Sequence, residues 1–167
     1  MSLQENFLND RWRKTPDNMA YGSDVERALF GSPTIGKEKN EEYMPFEQAV
    51  EFVKQHQPDP MKRSRMVKDL RTRIADLCTD ATVPVKFFTA IGTPLDVYHG
   101  VDAFFQQGEH IVTVDISLRE KESQKADVLL IASFDKAGNA VVSEGEMLGA
   151  ASQIAAKFNE KLHRRAA

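Results

Sequence analysis

Two aspartates, Asp102 and Asp115, interrupt stretches that otherwise read as buried strand: residues 100–117 run G-V-D-A-F-F-Q-Q-G-E-H-I-V-T-V-D-I-S. Val101 to Phe105 and His110 to Ser117 are rich in β-branched and aromatic side chains. Between them Gln106-Gln107-Gly108-Glu109 reads as a hairpin connection in which glycine supplies the positive φ. A turn centred on Gln107-Gly108 sets Phe105 opposite His110 and Asp102 opposite Thr113. Side chains alternate along a strand, so Asp102, Phe104, Thr113, Asp115 and Ser117 then share one face. The two aspartates become diagonal neighbours, roughly 7–8 Å apart at Cα, a distance that one divalent cation can bridge. Acids held together on a sheet repel and lose hydration, so the pair calls for a metal, a shared proton or basic neighbours.

Two carboxylates with carbonyl and water oxygens make a hard site suited to Mg²⁺ or Mn²⁺. Such an ion lowers the pKa of a bound water and clamps a phosphate oxygen. Arg119, Lys121 and Lys125, just past the second acid, are placed to neutralise charge on a phosphate. His99 adjoins the hairpin as a base, a ligand or a structural histidine. His56, His110 and His163 form no zinc-ligand spacing, and no P-loop, G-x-G-x-x-G turn or G-x-S-x-G elbow is present.

The elements that must position these residues follow from pattern. Residues 1–44 read as an N-terminal arm, partly helical or flexible, with short helices at Leu3 to Lys14 and Asp24 to Phe30. Each opens on an S-x-x-E capping box, Ser2/Glu5 and Ser23/Glu26. Phe7, Leu8, Trp12, Leu29 and Phe30 offer the arm an apolar surface for the domain or for a second copy. Residues 45–167 read as one domain. Phe46, Ala49, Val50 and Val53 predict a helix after Pro45, and Met66, Leu70, Ile74 and Leu77 a second within Met61 to Cys78. The other faces of that second helix carry Lys62, Arg63, Arg65, Lys68, Arg71 and Arg73. They form either a salt-linked solvent face, through Arg65, Asp69 and Arg73 at i, i+4 spacing, or a phosphate-binding face. A strand is expected at Val83 to Ile91, and a turn at Gly92 to Asp96. The run Ala126 to Ala132 has the continuous apolar character of a central strand covered on both sides. A last helix follows a Ser143 cap. The fold class is therefore α/β (α+β), a mixed central β-sheet flanked by helices.

Composition bounds the rest. The chain has 167 residues, 41% hydrophobic and 28% charged, as expected of a globular domain with a sizeable core. A net charge of −3 argues against a generally cationic nucleic-acid coat and leaves room for a local basic patch. The single cysteine, Cys78, sits in an apolar setting and reads as a core thiol in a reducing compartment. The N-terminus lacks a signal-peptide core, and no stretch approaches the roughly 20 apolar residues of a membrane span. A soluble, cytoplasmic protein with no membrane partner is expected.

With two acids on a hairpin in an α/β sandwich, the chain resembles the PD-(D/E)XK nuclease superfamily, the restriction-endonuclease-like fold. The resemblance covers roughly residues 60 to 162. G-V-D at 100–102 resembles the family's first acidic element, and V-T-V-D-I-S at 112–117 its (D/E)-x-K unit. It implies that Asp102 and Asp115 hold Mg²⁺ or Mn²⁺ and position a water for phosphodiester attack. The lysine expected two residues after Asp115 is replaced by Ser117, so its role passes to Lys121 or Lys125, with Lys86 a further candidate. An acid on the first core helix would be Asp69 or Asp76. Lys62, Arg65, Lys68 and Arg119 would contact DNA or RNA. The residues also allow a second function class: a catalytically silent binding or assembly protein of this fold, using residues 1–44 to engage a protein partner or form a homodimer. Ser117 and the acidic net charge favour that class, whereas the acid pair and the basic helix favour the nuclease.

Overall fold

A computed structural model of the chain describes residues 18–35, 42–58 and 64–166. Helices α1 (Asn18–Phe30), α2 (Phe46–Gln55) and α3 (Arg65–Leu77) precede strand β1 (Val85–Thr89) and the short helix α4 (Pro94–His99). Strands β2 (Ala103–Gln107), β3 (His110–Ser117) and β4 (Val128–Ile131) follow, then a small ribbon of β5 (Ser133–Phe134) and β6 (Ala140–Val141), and helix α5 (Glu144–Ala166). The main sheet has the order β1-β2-β3-β4; the first three strands are antiparallel and β4 runs parallel to β3. The fold is thus α+β, with a mixed four-stranded sheet between helices. Among the described residues, no helix is long and apolar enough to cross a membrane.

Pleating divides the sheet into two working faces. Val85, Phe87, Ala103, Phe105, Val112, Val114, Ile116, Val128 and Leu130 pack with Val67, Leu70 and Ile74 of α3 and with Met147, Ala151, Ile154 and Phe158 of α5. The opposite face presents Phe104 and Phe88 to Val50 and Val53 of α2 and to Leu95 of α4. Helix α1 joins the larger core through Val25, Leu29 and Phe30, with the Phe30 and Phe87 rings 5.5 Å apart. Ser64 ties α3 to it: the Ser64 hydroxyl accepts from Val67 N at 3.2 Å as an N-cap and donates to the Leu29 carbonyl at 2.7 Å. The expected helix at Leu3 to Lys14 and Lys62 lie outside the described residues.

The hairpin register differs from expectation by two residues. Gln107 stands opposite His110, Phe105 opposite Val112 and Phe104 opposite Thr113, so the turn is Gly108-Glu109. Gly108 takes φ +60° at the first central position, the requirement of a type II′ turn. Gln107 remains in the strand because its amide is consumed there, donating to the Asp80 and Val83 carbonyls at 2.9 and 3.2 Å. A shift of two preserves face parity and brings Asp102 and Asp115 closer than the diagonal arrangement does.

Other elements also depart from the sequence reading. Helix α1 begins at Asn18 and not at Asp24, so positions 23 and 26 lie within the helix and do not form its capping box. The turn at Gly92 to Asp96 becomes α4, because Pro94 presets the first helical φ and the Asp96 carboxylate accepts from Gly92 N at 2.8 Å. The apolar run at 126–132 forms an edge strand: Val128 and Leu130 are buried, whereas Leu129 and Ile131 are half-buried. On α3 the buried stripe is Val67, Leu70 and Ile74, and Leu77 is 48% exposed at the helix end.

Leu70 is fully buried where α3 meets the sheet and α5. Leu70→Ala removes its contacts and leaves a cavity, so urea unfolding should show a loss of about 2–5 kcal/mol with an unchanged m-value. A loss below about 1 kcal/mol would contradict this packing.

Candidate functional site

At one end of the sheet, carboxyl groups from four separate segments converge. Asp102 lies just before β2, and its backbone is fixed from both sides: Ala90 N donates to its carbonyl at 2.8 Å and its own N–H donates to Val114 O at 3.0 Å. Its side chain is 3% exposed and accepts from Ile116 N at 2.8 Å. Continuing the hairpin ladder one step past Ala103 and Val114 sets Asp102 opposite Asp115, and the two carboxyls hydrogen-bond to each other. Asp96 enters from α4 and Glu26 from α1, so that oxygens of Glu26, Asp96 and Asp102 lie within 4.8 Å of one another.

Such crowding shifts proton equilibria upward. Burial raises Asp102 well above the ordinary carboxyl range, and the hydrogen bond with Asp115 and the charge of Glu26 push the same way. A proton on Asp102 gives it one donor, which can be directed to Asp115 or to Asp96. Burial raises Asp96, with the Asp115 charge adding to it and the Gly92 hydrogen bond opposing it. Glu26 is pushed up to about 7, first by burial and then by the charges of Asp96 and Asp115; Lys121 and Arg27 ease it.

The donor set fits a hard divalent cation. Oxygens on opposite sides of a bound Mg²⁺ or Ca²⁺ stand about 4–5 Å apart, the scale on which these carboxylates already sit. Glu26, Asp96 and Asp102 are the residues spaced to hold one, and Asp115 lies beside them through its hydrogen bond with Asp102. Binding it would replace the shared proton with a stronger counter-charge.

Both lysines read as substitutes for the missing strand lysine come from the crossover at 118–127. Lys121 Nζ donates to Asp115 Oδ2 at 2.5 Å, with the two side chains 41% and 12% exposed. Among the described residues Lys125 pairs with no acid; its stem lies over Gly100, where an ideal Cβ would meet Lys125 Cδ at 3.1 Å. The far end of the crossover is pinned by Asp127, whose Oδ2 accepts from Thr113 N and Oγ1 at 2.9 and 3.0 Å. Arg119 is exposed, and its N–H donates to the Ser117 hydroxyl at 3.4 Å.

Other sequence candidates lie elsewhere. Arg65 and Lys68 are exposed on α3, across the sheet from the acids, and Asp69 and Asp76 are exposed on the same helix. Arg73 pairs with Asp69 and with Glu144 of α5, which makes part of this basic face a salt-linked one. Lys86 is exposed on β1. His99 Nε2 donates to the Met44 carbonyl at 2.8 Å and contacts no carboxylate of the cluster among its described bonds.

Glu26 and Asp96 were not legible as site residues. For Asp96 a signal exists: Thr93-Pro94-Leu95-Asp96 matches a helix start with proline at the first position and an acid at the third. For Glu26 the signal is faint, an acid four residues before Phe30 and so on the margin of an apolar stripe. Compared with protein-family models, with curated proteins and with solved structures, the chain matches none.

Because Glu26 holds its proton to about pH 7 when folded but only to 4.5 when unfolded, the folded state binds more protons between those values. Stability therefore falls as pH rises through that window, and the penalty is full above it. Without divalent cation, the decline in Tm from pH 4.5 to 7 should be shallower for Glu26→Gln than for wild type. Equal slopes by thermal scanning would remove Glu26 from the coupled cluster.

Proposed function

We propose that the chain is a Mg²⁺- or Mn²⁺-dependent phosphodiesterase acting on DNA or RNA, a divergent protein with a restriction-endonuclease-like core. The observation that carries this reading is Lys121 on Asp115 inside a cluster of converging carboxylates. It gives the chain the acid-acid-lysine set that the sequence breaks at Ser117.

Asp102, Glu26 and Asp96, with Asp115 beside them, would hold a cation, which would supply an acidified water and a counter-charge for a phosphate oxygen. The remaining work falls to side chains. Lys121 Nζ is close enough to orient a water beside Asp115 and to donate to a phosphate oxygen as negative charge builds. Lys125, laid over Gly100, and Arg119 bring further positive charge to the same edge. Asp102, fixed by three backbone hydrogen bonds, gives the reaction a rigid reference point.

Ser117 favours a second reading, a catalytically silent protein of the same core that binds nucleic acid, a protein partner or a second copy of itself. Its hydroxyl is engaged in the turn after β3 and leaves no lysine on the strand itself.

The full chain should cleave at least one of single- or double-stranded DNA or RNA when Mg²⁺ or Mn²⁺ is added, and not in EDTA. Asp102→Asn and Asp115→Asn should abolish cleavage and weaken Mn²⁺ binding by calorimetry. Lys121→Ala should cut the rate about 10²- to 10³-fold with Mn²⁺ affinity retained or raised. No cleavage of any of the four substrates with either ion would remove the enzymatic reading and leave the binding one.

A further inference from the structure

The helix that carries Asp96 into the cluster also carries an aromatic surface away from it. α4 is 6 residues long, and Asp96 is followed directly by Val97, Tyr98 and His99. Tyr43 packs on this end, with ring centroids 5.4 Å from Tyr98 and 5.8 Å from His99, and Phe46 meets His99 edge-on at 5.5 Å. The His99 bond to the Met44 carbonyl holds the 43–46 segment against the helix. Yet Tyr43 and Val97 are each 67% exposed and Phe46 is 41% exposed. Rings fixed in place by neighbours but open to solvent form a preorganised apolar platform.

Its surroundings restrict what it suits. His99 is followed by Gly100, which lies beneath the Lys125 stem, and two residues later by Asp102, so the chain leads directly from the aromatic patch past a lysine to the carboxylate cluster. Exposed Glu42 and Glu47 flank the rings, so the platform itself repels phosphate while Lys125 and Lys121 beside it attract it. That combination matches a strand whose phosphate enters at the lysines while a neighbouring base lies on the rings. A duplex hides its base faces by stacking and pairing, and presents a second row of phosphates to the glutamates.

We propose that Tyr43, Tyr98 and Phe46 form a stacking platform for an unpaired nucleobase, making the substrate class single-stranded nucleic acid. This rests on the phosphodiesterase reading for the position of the phosphate, and it is testable without catalysis. Both DNA and RNA carry the required chemistry.

Fluorescence anisotropy on the full chain in EDTA, with labelled 12-mers of oligo-dT and oligo-U and a 12-base-pair duplex, separates the alternatives. At least one single strand should bind about tenfold or more tighter than the duplex, and the preferred strand identifies the sugar. Tyr43→Ala, an exposed substitution, should weaken that binding about fivefold or more, and Tyr43→Trp should restore it. An oligo-dT analogue carrying abasic sites should bind wild type as weakly as oligo-dT binds Tyr43→Ala. Equal affinity for duplex and strand, or binding indifferent to Tyr43→Ala, overturns the platform. So does a change of oligomeric state in Tyr43→Ala with strand binding unchanged, which would assign the patch to a second copy. Tyr43-dependent binding without cation-dependent cleavage would uphold the platform and sink the enzyme. Cleavage indifferent to Tyr43→Ala would do the reverse.

Discussion

Asp102 is an acid placed where hydration cannot reach it, and the arrangement around it answers that cost. Its backbone is hydrogen-bonded to residues on both neighbouring strand segments, and its carboxyl accepts from Ile116 N, so the residue cannot swing out to solvent. An isolated buried carboxylate would neutralise itself by holding its proton, and Asp102 is pushed upward in that direction by burial and by its hydrogen bond with Asp115. Glu26 and Asp96 make the electrostatic situation worse. Three further acids around one buried carboxyl are not explained by folding stability, because the Asp115 charge pushes up Glu26 and Asp96, and the Glu26 charge pushes up Asp102. The cluster is a locally unfavourable arrangement that the two hydrophobic cores hold together, the pattern expected where selection acts on chemistry.

The sequence carried most of the scaffold because the scaffold rests on periodic burial. Val67, Leu70 and Ile74 recur at helical spacing, and Ser143 carries the expected capping hydroxyl. The hairpin, its shared face and both aspartates followed from alternation alone. Register did not, because the choice between Gln107-Gly108 and Gly108-Glu109 depends on whether Gln107 finds partners off the strand. Those partners, the Asp80 and Val83 carbonyls, lie more than twenty residues upstream, where no local rule reaches. The same limit explains β4. A continuous apolar run of four residues looks alike at the centre or the edge of a sheet, and only the order of strands distinguishes them.

Half of the acid cluster was legible for a related reason. Asp102 and Asp115 are close in sequence and linked by a hairpin, so a local rule relates them. Glu26 is brought to Asp102 by the packing of Leu29 and Phe30 on the sheet and by Ser64 bonding to the Leu29 carbonyl, none of which is local. Consequently the helix at 18–30, which its sequence places in an arm, is structurally part of the domain it precedes: it supplies core side chains on one side and a cluster carboxyl on the other.

The lysine is where a loop differs most from a strand. A lysine at position 117 would have its backbone fixed by the β3 ladder, whereas Lys121 hangs from an exposed crossover, tethered at one end by β3 and at the other by the Asp127–Thr113 clamp. What holds its ammonium is the charge of Asp115 itself. Lys121 is the exposed partner of this pair and Asp115 the buried one, so water competes for the ammonium and can draw it off the carboxylate. The pairing is therefore weak enough to exchange. Any cation that neutralises Asp115 weakens the hold on Lys121, and any anion arriving beside it offers the ammonium a new partner at little cost. A strand lysine would be better placed before substrate binds, but a loop lysine can follow the charge as it moves, and that is the property the proposed phosphate chemistry would require in a chain with Ser117 on the strand.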